Sequence, residues 1–396
     1  MSPPISAFAK SLTGSAVVEF RRLADAVEAR GQTIVDLGIG EPDFHPPEAV
    51  RRALVEAANA GYDKYVDPQG VAGLREAIAD FERTRHGIDC VAEQVTVTTG
   101  SVGALSLASR ALLGPGDEVL LMEPCYGPYR NLVRLTGAVP VGVPSSLQDG
   151  RFTVDAERLH QAVTSRTRAI IVNTPWNPTG GVLSKSELAA IADLAKEHDL
   201  WILADEVYSE LVYAPHQHVS IAALDSDTAS RTVTLNSASK SFAMTGWRLG
   251  YCVSPSSLAS VLGKINHLTS RCATSFVQYA AITAYRDALP FVETMRDAYA
   301  ERRSQIAAGL NALDGFHCAP PAGTFYAFAS YPSQWGDSRD IARMLLEKAG
   351  VIVTAGSAYG DICRNFLRMS FATDPAQIDE GLERIGALVP FEIDRV

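Results

Sequence analysis

The stretch Ser237-Ala238-Ser239-Lys240-Ser241-Phe242-Ala243-Met244-Thr245-Gly246-Trp247-Arg248-Leu249-Gly250 sets a lysine three residues after one serine and eight before an arginine. A lysine amine forms an imine with an aldehyde. A serine hydroxyl and an arginine guanidinium can hold a phosphate. The stretch therefore points to one small molecule that carries both groups. It also lies between two apolar, strand-like runs, residues 232–236 and 249–253. Reactive residues directly after a strand are what an open sheet offers, because its ligands bind beyond the carboxyl ends of the strands.

Working outward, four more compact apolar runs precede this pair, at residues 95–98, 118–122, 168–173 and 200–204. Several are apolar almost throughout, as strands covered on both faces are. Helical spacing joins Val50, Leu54 and Ala57, and again Leu74, Ile78 and Phe81. A helix over 184–198 opens with a capping box, Ser184-Lys185-Ser186-Glu187. Strand and helix in alternation predict an α/β fold with a mostly parallel sheet and helices on both faces. Gly100-Ser101, Asn177, Asp205 and Lys240 all follow ends of these strands. After residue 290 the character changes. A long helix over 291–313 leads into short runs at 325–329, 351–354 and 366–370, which predict a smaller α+β domain. The expected division is a large domain over 47–290, a small one over 291–396, and a segment over 1–46 packed with the small one.

The 396 residues suit two domains, and 47% hydrophobic content supplies a large core. The net charge of −10 argues against nucleic acid, which needs clustered basic surface. No apolar stretch reaches the ~20 residues of a membrane span. Met1-Ser2-Pro3-Pro4 does not begin a signal peptide, so a cytoplasmic protein is expected. The six cysteines form no CxxC pair and read as reduced thiols; the eight histidines show no HExxH spacing, so no metal is implied.

An aldehyde bearing a phosphate describes pyridoxal 5′-phosphate (PLP). From about residue 34 to about 385 the chain resembles the fold-type I PLP-dependent aminotransferases of class I/II, the aspartate aminotransferase group. The resemblance implies roles for particular residues. Lys240 matches the Schiff-base lysine, which also moves the proton at Cα. Asp205, in Leu203-Ala204-Asp205-Glu206-Val207-Tyr208, matches the aspartate that pairs with the pyridine nitrogen; Glu206 is read as structural. Tyr208 and Asn177, the latter in Asn177-Pro178-Thr179-Gly180, match the donors to the cofactor's 3′ oxygen. Gly100, Ser101 and Val102 match the phosphate loop at a helix start, with Ser237 and Arg248 completing it. Tyr126 matches the aromatic that stacks on the ring. Tyr65 matches a tyrosine reaching the phosphate of a neighbouring subunit, so a homodimer with shared sites is implied. Arg368, in an apolar run, matches the arginine that forks onto the substrate α-carboxylate, where Asn177 and Gly40 also lie.

The reaction implied is transfer of an α-amino group from an L-amino acid to a 2-oxo acid. Aspartate with 2-oxoglutarate comes first. Arginine or another amino acid with pyruvate is the alternative, because residues 235–250 and 198–213 also resemble bacterial arginine:pyruvate enzymes. A PLP β-lyase or oxidase could use the same residues. Arg271 does not align with the distal-carboxylate arginine of the dicarboxylate enzymes. Trp176 stands where a polar residue is commoner, with no role read from the sequence.

Overall fold

The structure is a computed structural model that describes residues 3–12, 14 and 16–390. Its centre is a seven-stranded sheet in the order Val95–Thr98, Gly250–Val253, Thr232–Ser237, Trp201–Asp205, Thr167–Asn173, Glu118–Glu123, Val139–Pro144. Only Gly250–Val253 runs antiparallel to its neighbours. The inner strands are buried along nearly their whole length, which is why they read as unbroken apolar runs. The helix Lys185–Glu197 starts at the expected cap, with Ser184 N–H donating to Glu187 and Glu187 N–H to Ser184 Oγ.

Two elements depart from the sequence reading. The edge strand Val139–Pro144 carries Pro140, Gly142 and Pro144, residues that hide a strand in sequence but are tolerated at an edge. The single run expected over 351–354 is two strands. Val351–Ile352 pairs in parallel with Val35–Asp36, and Thr354–Ala355 joins the antiparallel sheet of Tyr326–Ser330 and Phe366–Ser370. Phe20, Val35 and Leu37 share one hydrophobic cluster with Ile306, Leu310, Val351 and Ile378. The N-terminal segment is thus fastened to the elements that follow residue 290. The long helix, Leu289–Ala312, begins two residues before the expected start, with Pro290 in its first turn where no N–H is needed.

Behind the sheet a π-helical turn, Glu82–His86, buries a charged cluster. His86 Nδ1 lies 2.7 Å from Glu82 and Nε2 lies 3.1 Å from Glu210, which also takes Arg85 at 2.6 Å. Tyr251 and Asn236 donate to Glu82. Burial alone would push the His86 pKa down, but Glu82 and Glu210 drive it up to about 10. An unfolded histidine titrates near ~6.5. The imidazolium's stabilisation is therefore complete below that value and is lost as pH rises through about 10. His86→Gln leaves the buried Glu82 without a cation and Glu210 with Arg85 alone, and should cost about 3–5 kcal/mol near neutral pH. Urea unfolding of both proteins checks this. The gap between them should narrow as the solution is made alkaline; an equal gap at every pH would mean no buried imidazolium.

Candidate active site

The carboxyl ends of the central strands and the small sheet enclose a cavity of about 270 Å³. The helical turn Ala238–Ser241 follows strand Thr232–Ser237 and aims Lys240 into it. Lys240 Nζ donates to the Gly40 carbonyl. Burial pushes this amine down to about 8; Glu41 opposes that and the Arg368 and Arg248 guanidinium groups add to it. An amine with such a pKa is partly neutral at physiological pH, as a nucleophile or a base must be.

Asp205 ends its strand on the opposite wall. Its Oδ2 accepts a 2.6 Å hydrogen bond from Tyr129 and its Oδ1 accepts from Val207 N–H at 3.3 Å. Burial pushes its carboxyl up to about 6, against the lowering effect of those two bonds. Among the described residues no cation makes an ion pair with it, so the site holds a buried acid that calls for a positive partner. A polar chain runs from this strand end. Asn173 Nδ2 donates to the Asp205 carbonyl, Asn173 Oδ1 accepts from Asn177 N–H, and Asn177 Oδ1 accepts from Arg368 Nη1.

Gly100 opens the helix Gly100–Leu112 with φ +76°, and the exposed Arg248, itself at φ +57°, lies against it. A Cβ at Gly100 would sit 2.6 Å from Arg248 Nη2, the movable end of a long side chain, so it is the backbone angle that calls for glycine here. Ser101 and Val102 line the cavity beside them. Ser237 is buried, its hydroxyl accepting from Ser239 N–H at 3.3 Å.

Arg368 is 3% exposed on strand Phe366–Ser370. Every hydrogen-bond partner of its guanidinium among the described residues is neutral: Asn177 Oδ1 at 3.1 Å, the Gly38 carbonyl at 3.0 Å and Thr354 Oγ1 at 3.3 Å, with the Tyr326 ring 4.1 Å away. Its Nε has no hydrogen-bond partner among the described residues. Arg368 thus makes no structural salt bridge among the described residues, and a buried, uncompensated cation faces the cavity that Lys240 enters.

Comparison with known proteins gives this geometry a family. The family model described as aminotransferase class I and II matches residues 32–385. The chain belongs to that family. This aminotransferase is 37% identical to the aromatic-amino-acid aminotransferase 2 of Thermococcus litoralis over 93% of the chain and 94% of that relative. It is 35% identical to the aspartate aminotransferase of Bacillus subtilis over 96% of the chain and 97% of that relative. The aspartate aminotransferase of Thermus thermophilus, solved with maleate, superposes with a TM-score of 0.92 at 35% identity, over 98% of this chain and all (100%) of that one.

Of the residues singled out from the sequence, Gly40, Ser101, Val102, Tyr126, Asn177, Asp205, Tyr208, Lys240 and Arg368 line one cavity of the aminotransferase. Gly100 and Arg248 lie against each other next to the lining residue Ser101, and the buried Ser237 is not part of the lining. Tyr65 stands apart, 77% exposed, with the Arg271 guanidinium 4.9 Å over its ring. Glu206 points away and accepts from Ser220, Ile221 N–H and His218. Trp176 is a buried anchor whose Nε1 donates to the Pro124 carbonyl. Sequence reasoning missed Tyr129, Asn173 and Tyr326. Tyr326 hydroxyl lies 2.9 Å from that of Tyr208. Tyr129 had a signal, since it stands one helical turn after Tyr126. The metal-capable cluster found among the described residues, His160, Glu197 and His198, shares no residue with this cavity.

Proposed function

We propose that the cavity holds PLP and that the enzyme transfers an α-amino group from aspartate to 2-oxoglutarate. The residues present fit that cofactor. Lys240 offers a partly neutral amine, Asp205 a buried carboxylate in want of a cation, and Gly100, Ser101 and Arg248 a close-packed cradle for a phosphate. When bound, PLP would supply an aldehyde that joins the substrate amine and a protonated ring that accepts the electron pair released at Cα. Arg368 would grip the substrate α-carboxylate, Asn177 sharing it. Lys240 Nζ would take the proton from Cα and return it on the other side of the transfer. Asp205 would hold the proton on the ring nitrogen, with Tyr129 fixing the carboxylate's orientation. Tyr208 would donate to the ring oxygen, and Tyr126 would cover the ring face.

The single observation that carries this reading is the buried Arg368 guanidinium without a carboxylate, facing Lys240. Arg368→Lys keeps the charge but loses the fork, and kcat/KM for amino acids should fall about a hundredfold. An amine substrate that lacks the carboxylate should react equally with both proteins; if it slows as much as the amino acid does, Arg368 does not bind the carboxylate.

An aromatic donor is the second reading. A further cavity of about 430 Å³ shares Tyr126 and Arg368 with the first and is walled by Phe20 and Tyr359. The other guanidinium groups lining it are already paired, Arg130 with Glu123 and Arg339 with Glu19. Rapid mixing with aspartate, glutamate, phenylalanine, tyrosine, arginine and alanine, each without an oxo acid, decides between them. Aspartate and glutamate should discharge the cofactor absorbance fastest and the reaction should stop there. Continued release of ammonia would identify a lyase or oxidase instead.

A smaller unit after residue 290, with the N-terminal segment packed on it, is supported by the contacts of Phe20 and Val35 with Leu310 and Ile378, in a cluster that also takes in Val207, Tyr208 and Tyr213 of the larger unit; closure of the smaller unit over the cavity would exclude water. A homodimer with shared sites rests on the match of Tyr65, 77% exposed, to a tyrosine that reaches the phosphate of a neighbouring subunit. Six free cysteines suit the reducing cytoplasm, and no helix among the described residues is long and apolar enough to cross a membrane.

A further inference from the structure

Asn177 lines the active-site cavity, but Thr179 and Gly180 of the same turn line a different one, of about 250 Å³. The strand Arg151–Thr153 contributes Arg151 to its wall, and the loop after Tyr213 contributes His216. Arg303, on the long helix Leu289–Ala312, does not itself line the cavity; its Nε donates to the carbonyl of Pro321, a wall residue. The protein is acidic, with 45 acidic against 35 basic side chains, and arginines such as Arg85, Arg231 and Arg302 meet a carboxylate. Neither Arg151 nor Arg303 does: no carboxylate lies within 4.0 Å of either among the described residues. The guanidinium of Arg303 instead stacks 5.4 Å from the Tyr213 ring. The one acid in the wall, Glu187, is consumed by the Val154 and Ser184 N–H groups and the Ser184 hydroxyl. The pKa of His216 is lowered by burial and then by Arg151 and Arg303, with no acid acting on it. Arg151 and His216 therefore line the cavity, and the Arg303 guanidinium lies near enough to act on the same imidazole.

We propose that this cavity is a second, non-catalytic site that binds a small polyanion, a metabolite bearing phosphate or several carboxylates, at Arg151, with Arg303 behind the Pro321 wall. Arg151, with no carboxylate partner among the described residues, offers the charge-assisted fork such a ligand needs, and Arg303 adds a second positive charge nearby. Occupancy would fix the strand Arg151–Thr153 against the wall segment of residues 319–322. It would also press on the back of the Asn177 turn, whose Gly180 carbonyl accepts from Ala322 and Gly323 N–H, close in sequence to the site residue Tyr326.

Calorimetric titration of the cofactor-loaded enzyme tests this, because loading keeps added anions out of the cradle at Gly100. Pyrophosphate and citrate are the probes; saturable binding of the first alone assigns a phosphate ligand, of the second alone a carboxylate ligand. Arg151→Glu should weaken the binding by about tenfold or more. Arg286→Glu, an equal change of charge on an exposed arginine that does not line the cavity, should leave it unaltered. The cofactor spectrum should be the same in all three proteins. Absence of saturation by either probe at millimolar concentration, or undiminished affinity in Arg151→Glu, overturns the proposal. Because the readout is binding to the loaded enzyme, it stands or falls separately from the identity of the amino donor.

Discussion

Lys240→Ala is expected to abolish turnover, lowering kcat by about ten-thousand-fold or more. Lys240 is the only lysine lining the active-site cavity among the described residues. Burial and two nearby guanidinium groups hold its amine down at about 8. Alanine removes the amine but leaves Gly100, Ser101, Arg248 and Asp205 in place, so the variant should still take up PLP without a covalent link. Lys240→Arg should not rescue, since a guanidinium stays protonated at any accessible pH and cannot serve as a base. Steady-state assay with aspartate and 2-oxoglutarate measures the loss. Borohydride reduction of the wild-type holoenzyme, followed by peptide mapping, should place the pyridoxyl group on Lys240. Activity within tenfold of wild type in the alanine variant, or a tag on another residue, would remove Lys240 from the reaction.

Much of this was open to reading because the decisive residues sit at strand ends, and the strands are long apolar runs. Asp205 and Lys240 each follow such a run, and the sheet brings their ends to one edge. What stayed hidden was set by pairing across distant sequence. Val351–Ile352 looked like one strand with Thr354, yet it is drawn off to pair with Val35–Asp36, a partner more than 300 residues away that no local pattern announces. Tyr326 read as an ordinary residue of a strand, because period-two alternation says which face a side chain takes but not what it meets there. Its hydroxyl meets Tyr208 only once the small sheet is docked. Arg368 is the instructive contrast: an arginine inside an apolar run had to find an anion or remain uncompensated, and the structure leaves it with neutral partners alone.

Asp205→Asn should lower kcat by on the order of a thousandfold while changing KM for the amino acid little. The asparagine has the same shape, and its amide oxygen can still accept one of the two bonds from Tyr129 and Val207, so the effect is chiefly that of the charge. That charge is unusual: burial lifts the carboxyl to about 6, and the two hydrogen bonds are what keep it from rising further. A carboxyl with a raised pKa is ionised above that pH and neutral below it. Cofactor retention by wild type should therefore weaken as the solution is acidified through about 6, whereas Asp205→Asn should hold PLP equally loosely across the same range. Tyr129→Phe removes one charge-assisted hydrogen bond, about 1.5–3 kcal/mol, and should shift the wild-type transition to higher pH. Fluorescence of released cofactor follows all three proteins. A near-normal rate in Asp205→Asn would mean that the ring does not depend on this carboxylate for its charge. An unchanged transition in Tyr129→Phe would mean that the 2.6 Å contact holds geometry without tuning the acid.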